Sequence, residues 1–464
     1  MNIISYFNQP NYIKEVFIDL ERQLKEKVNP YDFNFTTTTY AKMVETIVES
    51  SNKIAILAFL NHIEYLDNQY KNSEIRKRDY YLKELRPRTI VTVFGEVTYS
   101  RYIYQNKHNN KCYTHVDRKL GLPRYDRFDP CIKSLIVEQC SNSNSMIKVG
   151  KFIGEQIFSK FSLNSVRKLH RISRQTIFNI WKKSKYIKPK IERVEKTPRT
   201  LYIMADEKYI AAQEGSKTMI KQAVIYEGLI SKNKRNKLIN PYITSVIDLD
   251  IWDEVNDVLA LRYDVEEIEQ IYILGDGATW IKSGTGTIPK SDYALDRFHL
   301  KQAINNISTD ELIKKILSSY ITNDRQDDYK RIIKFLIKKQ DSKSRIETIK
   351  EKHKYIRNNW EAIQVMYKEV FIGCPMESAI SHNLASIYSS VPKAYNPINL
   401  KKYLSYRDLE LNGYDVRELS IESNDCVEKT YKKDKPLNWS MFEKRKQTDK
   451  ATSSNWLKGY ISKR

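Results

Sequence analysis

The chain lacks any apolar run long enough to cross a membrane. Its longest, near residues 54–60, falls far short of the ~20 residues a spanning helix needs. The opening MNIISYFNQPNYIKEV also lacks the basic-then-apolar build of a secretory signal, so the expectation is a cytoplasmic protein with no membrane partner. Cysteine is scarce. Cys112, Cys131, Cys140, Cys374 and Cys426 are odd in number and form no CxxC pair, which argues against a disulfide framework or a zinc knuckle and predicts reduced thiols. His108, Cys112 and His115 lie close together, but no second ligand pair follows them.

Negative charge is in deficit: 79 Lys and Arg against 57 Asp and Glu give +22 over 464 residues and a pI near 9.4. Such a balance suits a polyanion such as DNA, because lysine and arginine displace the counterions condensed on phosphates. Abundant Lys, Asn, Ile and Tyr also accompany AT-rich coding sequence, so charge alone does not decide the matter.

Residues 1–87 read as a mainly helical region, with Ile13, Val16, Phe17, Leu20 and Leu24 at three-four spacing and the pattern repeated from Met43 to Leu66. From Thr89 to Tyr104 the period changes to two, predicting a hairpin that turns near Gly95. Arg86, Arg88 and Arg101 among its tyrosines suit a phosphate-facing surface or an ordinary half-buried hairpin. Within 88–183, residues 164–183 read as the second half of a helix-turn-helix. Ser173 is the expected cap, Val166, Leu169, Ile172, Ile177, Ile180 and Trp181 the apolar face, and Arg174, Gln175, Thr176 and Asn179 the outward side chains able to reach base edges. No glycine marks the turn, and a plain helical pair fits the same pattern. Residues 184–199 then read as a basic linker or a strap along DNA.

Past Thr200 the pattern alternates between strand and helix. Strands are expected at 201–205, 221–226, 242–249 and 270–274 and a short one at 292–295, with a helix at 252–263. Residues from about 300 to 373 are almost wholly helical in pattern and interrupt a catalytic domain spanning 200–410. Residues 411–464 form a basic tail, with few aliphatic residues near its end and with Trp439, Trp456 and Tyr460 able to stack on bases or on the protein itself.

Three acids stand out. Asp206 follows Leu201–Met204, Asp276 follows Ile271–Leu274, and each is placed where a buried strand would end; Glu377 begins a segment spaced as a helix, with Pro375 before it. They lie 70 and 101 residues apart. An aspartate at a strand end is usually a turn or cap residue, and the acids gain weight only together. Two strand-borne acids and one on a late helix can hold two divalent ions, Asp206 bridging while Asp276 and Glu377 complete one ion each; this is the machinery for phosphodiester cleavage and strand transfer. Asp296 and His299 share a face if a helix begins near Asp296, and His299 is then a phosphate contact or a structural histidine. Trp280 is placed to stack on an exposed base or to cover the core, and His382 is a weaker candidate for the same neighbourhood.

ADEKYI, KQAVIYEGLI, LGDGATWIKSG, LDRFHLKQ and CPMESAISHNLASIYSS, with GEVTYSRYIY and RKLGLPRYDRFDP upstream, together resemble the ISLre group of bacterial insertion-sequence transposases, related to Mutator-like transposases. The match covers roughly residues 88–395. The resemblance implies a DDE transposase: an α/β, ribonuclease H-like core with a large helical insertion, preceded by the mainly helical region, hairpin and helix-turn-helix-like segment. It implies the triad Asp206, Asp276 and Glu377, with Asp296 and His299 matching an Asp-x-x-His signature. It further implies two Mg2+ ions (Mn2+ substituting), terminal inverted repeats and target DNA as partners, and a homodimer or larger assembly. A catalytically inactive repressor and a structure-specific nuclease of the same fold are the alternatives.

Overall fold

Strand formation in the second half follows from apolar runs placed where they pair. In this computed structural model, which describes residues 12–27, 36–143, 145–158, 172–213, 215, 217–232, 235–247, 249–368, 370, 376–389 and 394–430, ten strands are defined in chain order. They are β1 (Tyr80–Thr92), β2 (Gly95–Asn106), β3 (Cys112–Tyr113), β4 (Thr200–Ala211), β5 (Lys217–Tyr226), β6 (Gly228–Lys232), β7 (Arg235–Ile239), β8 (Tyr242–Ile247), β9 (Gln270–Gly275) and β10 (Ser291–Leu295).

Five of them make one sheet, in the order β10-β9-β4-β5-β8. β4, β9 and β10 run parallel, while β5 is antiparallel to both β4 and β8. Alternation along β4 separates two buried clusters, since successive side chains point to opposite faces. Leu201, Ile203 and Ala205 join Ala223, Ile225, Ile271 and Ile273 beneath the helix Ile251–Arg262. Met204 joins Ile220, Val224 and Leu274 on the other face, where the helices between β10 and residue 388 pack. That covering layer is the helical insertion: Arg297–Ile307, Glu311–Thr322, Gln326–Lys338, Lys343–Asn358 and Trp360–Lys368.

Two expectations are corrected. β4 does not stop before Asp206 but runs on to Ala211, because Asp206 to Ala211 pair with Gln222 to Lys217 of β5. Residues 80–87 are strand rather than helix: Ser73 ends one helix and caps the short Glu74–Asp79 helix, and the following YYLKEL segment pairs with residues 102–106. Of the two readings of the hairpin arginines, the half-buried one holds for Arg88 and Arg101. Arg88 and Arg101 both pair with Asp117, at 2.8 and 3.0 Å, with side chains 8% and 12% exposed, and Arg86 pairs with Glu84. The two-stranded β6-β7 hairpin has no counterpart in the sequence reading.

The hairpin turns between Thr92 and Gly95, as expected, and rests on the long helix Thr37–Asn72, whose Asp67 accepts the Tyr102 N–H (2.7 Å) and the Tyr104 hydroxyl (3.1 Å). Residues 184–199 are held along their length rather than loose. Ile187 is buried, Val194 N–H donates to Arg262 O, and the Tyr406 and Tyr414 hydroxyls donate to the carbonyls of Lys185 and Lys190. Met1–Ser420 form one compact unit and Ile421–Arg464 a second, whose described residues 421–430 are helical; Trp439, Trp456 and Tyr460 lie outside the described residues. Among the described residues no helix is long and apolar enough to cross a membrane.

Candidate active site

β4 and β9 are neighbouring parallel strands whose last registered pair is Met204 with Leu274. Asp206 and Asp276 each stand two residues further along, so the parallel register sets them side by side near the centre of the sheet. On β4 the alternation turns Asp206 to the face of Met204, the one covered by the insertion. Asp206 Oδ1 accepts the Glu207 N–H (2.7 Å) and Asp276 Oδ1 accepts the Ala278 N–H (2.9 Å). Each carboxylate thus keeps a second oxygen that accepts no hydrogen bond from a described residue.

Gly277 shapes the turn that carries Asp276. Its φ of +101° is one that L side chains rarely adopt, and a Cβ there would lie 3.1 Å from Asn359 Oδ1 and 3.2 Å from Tyr355. Tyr355 also donates its hydroxyl to the Asp276 carbonyl at 2.5 Å. The insertion therefore reaches into the site through the Lys343–Asn358 helix, a contact between residues 79 apart that no local signal announces.

Asp296 ends β10 as the N-cap of Arg297–Ile307: its Oδ1 accepts the Phe298 N–H and its Oδ2 meets His299 Nδ1 at 3.1 Å. Asp296 is buried and His299 is 30% exposed. The hydrogen bond to Asp296 is the main cause raising the His299 pKa, with burial opposing it and the charges of Asp276 and Asp206 adding to it. A readily protonated imidazole therefore sits in the field of both strand acids.

Glu377 lies in the short helix Met376–Ile380, which packs against β4. Its side chain lies outside the described residues. The chain continues as a π-helical turn, Ser381–Ala385, a form frequent at functional sites. There the buried Asn383 donates to Gln222 Oε1 (3.1 Å), and Gln222 is the β5 partner of Asp206. Gln222 in turn donates to Ser245, and Ser245 to Asp408. Neighbouring His382 is exposed.

Trp280 is held at its edge and on one face. Its Nε1–H donates to Glu207 Oε2 at 2.6 Å, Lys221 Nζ sits 5.1 Å from the ring centroid, and Trp252 lies beside it. Glu207, Tyr355, Gln222 and Asn383 were not singled out by sequence, and only Glu207, adjacent to Asp206, had a local cue.

Hard carboxylate oxygens are what Mg2+ prefers, and Asp206 and Asp276 fit it as two such donors. Among the described residues no three His, Cys, Asp or Glu side chains converge as a metal cluster.

The recognition-helix expectation falls partly on described residues. Ser173 caps Arg174–Lys183 by accepting the Thr176 N–H, as expected, and Ile172, Ile177 and Trp181 are buried. Arg174, Gln175 and Asn179 are exposed, the latter two joined by a 2.9 Å hydrogen bond. Val166 and Leu169 lie outside the described residues. Trp181 stacks on Tyr403 at 4.4 Å, which seats this helix on Pro397–Leu411.

The sequence matches the Uncharacterised protein family (UPF0236) over residues 36–425. The chain belongs to that family. Two UPF0236 proteins of Caldanaerobacter subterraneus subsp. tengcongensis are 30% and 31% identical to it, over 90% and 89% of this chain and 87% and 84% of their own lengths. The name of the second joins eleven locus designations. Among solved structures, the Drosophila P element transposase strand transfer complex aligns over 68% of this chain and 88% of that one, at 12% identity; its TM-score of 0.21 is too low to establish a shared fold.

Asp206 gives this UPF0236 site a pH signature. Burial pushes its carboxyl up to about 6, with Asp276 and Glu207 raising it further and the Glu207 N–H and His299 opposing. An unfolded aspartate titrates near ~4, so the folded state holds this proton more tightly. The stability this gives is fully present below ~4 and is lost as pH rises through about 6. Without metal, Asp206→Asn is expected to melt higher than wild type at pH ~8, with the gap closing toward pH ~4. Thermal denaturation across that range checks it, and equal melting temperatures at pH ~8 would contradict it.

Proposed function

We propose that this UPF0236 chain is a DDE transposase of an insertion sequence, of the ISLre group, which binds terminal inverted repeats and carries out metal-dependent strand cleavage and strand transfer. The observation that carries the reading is the placement of Asp206 on β4 beside Asp276, in the turn that ends the neighbouring parallel strand β9, with the helix bearing Glu377 packed against β4. The sheet order β10-β9-β4-β5-β8, with only β5 reversed, supports taking the core as ribonuclease H-like. A relative whose single name joins eleven locus designations fits a sequence repeated around one genome, as a self-copying element leaves it. The charge of +22 and the exposed Arg174, Gln175 and Asn179 fit DNA as partner.

In this reading Asp206, Asp276 and Glu377 would hold two Mg2+ ions, or Mn2+ in their place. When bound, such a pair activates the attacking oxygen and stabilises the leaving one. The chain's own residues do the rest. Tyr355 and Gly277 fix the turn that aims Asp276, and Asn383 ties the Glu377 segment to the strand beside Asp206. His299, held by Asp296 and inclined to carry a proton, offers a cation to a non-bridging phosphate oxygen. Two element ends must be joined, so a dimer or larger assembly on DNA is part of the proposal.

The test is cleavage of a plasmid carrying the gene with its flanking DNA. Mg2+ or Mn2+ is expected to give nicks at the outer borders of inverted repeats, and chelator to abolish them. Nicks scattered without regard to the repeats would point to a structure-specific nuclease. No nicking, with binding to the repeats intact, would point to an inactive repressor.

A further inference from the structure

Tyr125 carries two unfavourable features at once. Its φ of +66° lies in the left-handed region, uncommon for a bulky residue, and its side chain is 85% exposed. Glycine or asparagine would fill this position without the strain, and a loop free to relax would turn the ring inward. The loop cannot relax. Arg88, itself buried and paired with Asp117, donates to the carbonyls of Pro123 (2.8 Å) and Asp126 (2.9 Å) from beneath. The Asp126 N–H closes on Pro123 O, Val91 N–H takes Arg127 O (2.7 Å), Asp129 N–H takes Val91 O, and Lys133 pairs with the Asp126 carboxylate. The backbone on both sides of Tyr125 is thus tied down while its ring stands exposed, and strain of this kind gathers where a residue contacts a ligand.

The surroundings say which ligand chemistry fits. Arg124 places its guanidinium 4.9 Å from the Tyr125 ring centroid, backing the ring. Arg127 and Lys119 are exposed nearby in the sequence, and none of these three cations forms an ion pair with a described residue. An aromatic plate with cations around it suits a nucleobase face flanked by phosphates. In intact duplex every base face is already stacked, so the plate can take only a base that has left the stack. Phe128, three residues on, packs against the cluster holding Ile177 and Trp181, so the loop and the helix Arg174–Lys183 belong to one packed body.

We propose that the loop 123–128 is a preformed stacking finger for DNA with a locally unpaired base, Tyr125 taking the base and Arg124 and Arg127 the adjoining phosphates. This rests on the DNA-processing reading above and adds to it a second contact, selective for distorted rather than paired DNA. The test compares the full chain with Tyr125→Gly and Tyr125→Trp by fluorescence anisotropy. The probes are a labelled duplex with one bulged adenine and the same duplex fully paired. Tyr125→Gly is expected to weaken binding of the bulged duplex by about 5- to 100-fold, to change paired-duplex binding by less than about twofold, and to melt no lower than wild type because glycine relieves the backbone. Tyr125→Trp is expected to keep the preference for the bulge. Unchanged binding of both duplexes by Tyr125→Gly overturns the finger alone, whereas a wild-type chain that binds neither duplex overturns the DNA reading as well.

Discussion

Asp276→Ala is expected to abolish end cleavage while leaving DNA binding within about twofold of wild type. If Asp276 holds a catalytic ion as proposed, the loss should be on the order of 10³-fold or more, since removing such an acid forfeits several kcal/mol of charge stabilisation and each ~1.4 kcal/mol is tenfold. The substitution is mild for the fold. Tyr355 donates to the Asp276 main-chain carbonyl, which alanine keeps, and among the described residues the only side-chain bond lost is the one accepting the Ala278 N–H. Cleavage in Mg2+, measured beside binding of the same DNA, separates chemistry from recognition. Equal cleavage by variant and wild type would remove Asp276 from the reaction and the triad with it.

Trp181→Ala should cost about 3–5 kcal/mol of stability. The indole is fully buried and stacks on Tyr403, with Tyr406 at 5.2 Å. Lys402 Nζ donates to the Trp181 carbonyl, so the same contact pins the main chain of the helix Arg174–Lys183. Among the described residues its buried Nε1–H has no partner, so Trp181→Phe discards a cost together with some packing and should be clearly milder than alanine. Urea unfolding of both variants checks this order. A loss below about 1 kcal/mol for alanine would mean that the seat on Pro397–Leu411 is unimportant.

What could be read from sequence was local. Apolar runs fixed β9 and β10 to within a residue or two, Ser173 announced its helix by capping chemistry, and Asp296 with His299 followed from helical spacing once Asp296 was taken as the start. The rest depends on partners far along the chain. β4 extends past Asp206 only because β5 is there to pair with it. Whether Arg88 and Arg101 face phosphate or lie half-buried was not legible because Asp117, which pairs with both, is 29 and 16 residues away. The β6-β7 hairpin is written in GLISKNKRNKLI, whose lysines and asparagines give no strand pattern, and its pairing supplies the order instead. Tyr355 had no signal at all, since its role arises only when the insertion folds back over the sheet.

The seat of Trp181 also bears on how the chain is made. Residues 80–183 leave the ribosome early, yet Tyr403, Tyr406 and Leu409, which complete the cluster around Ile177 and Trp181, emerge more than 200 positions later. The segment carrying Glu377 emerges just before them. A product cut short by a nonsense codon or frameshift ahead of residue 397 would therefore lack the support of the helix Arg174–Lys183 as well as the helix Pro397–Leu411 that packs on β8. On the transposase reading proposed above, truncated copies are not expected to persist as stable competitors for the element's DNA.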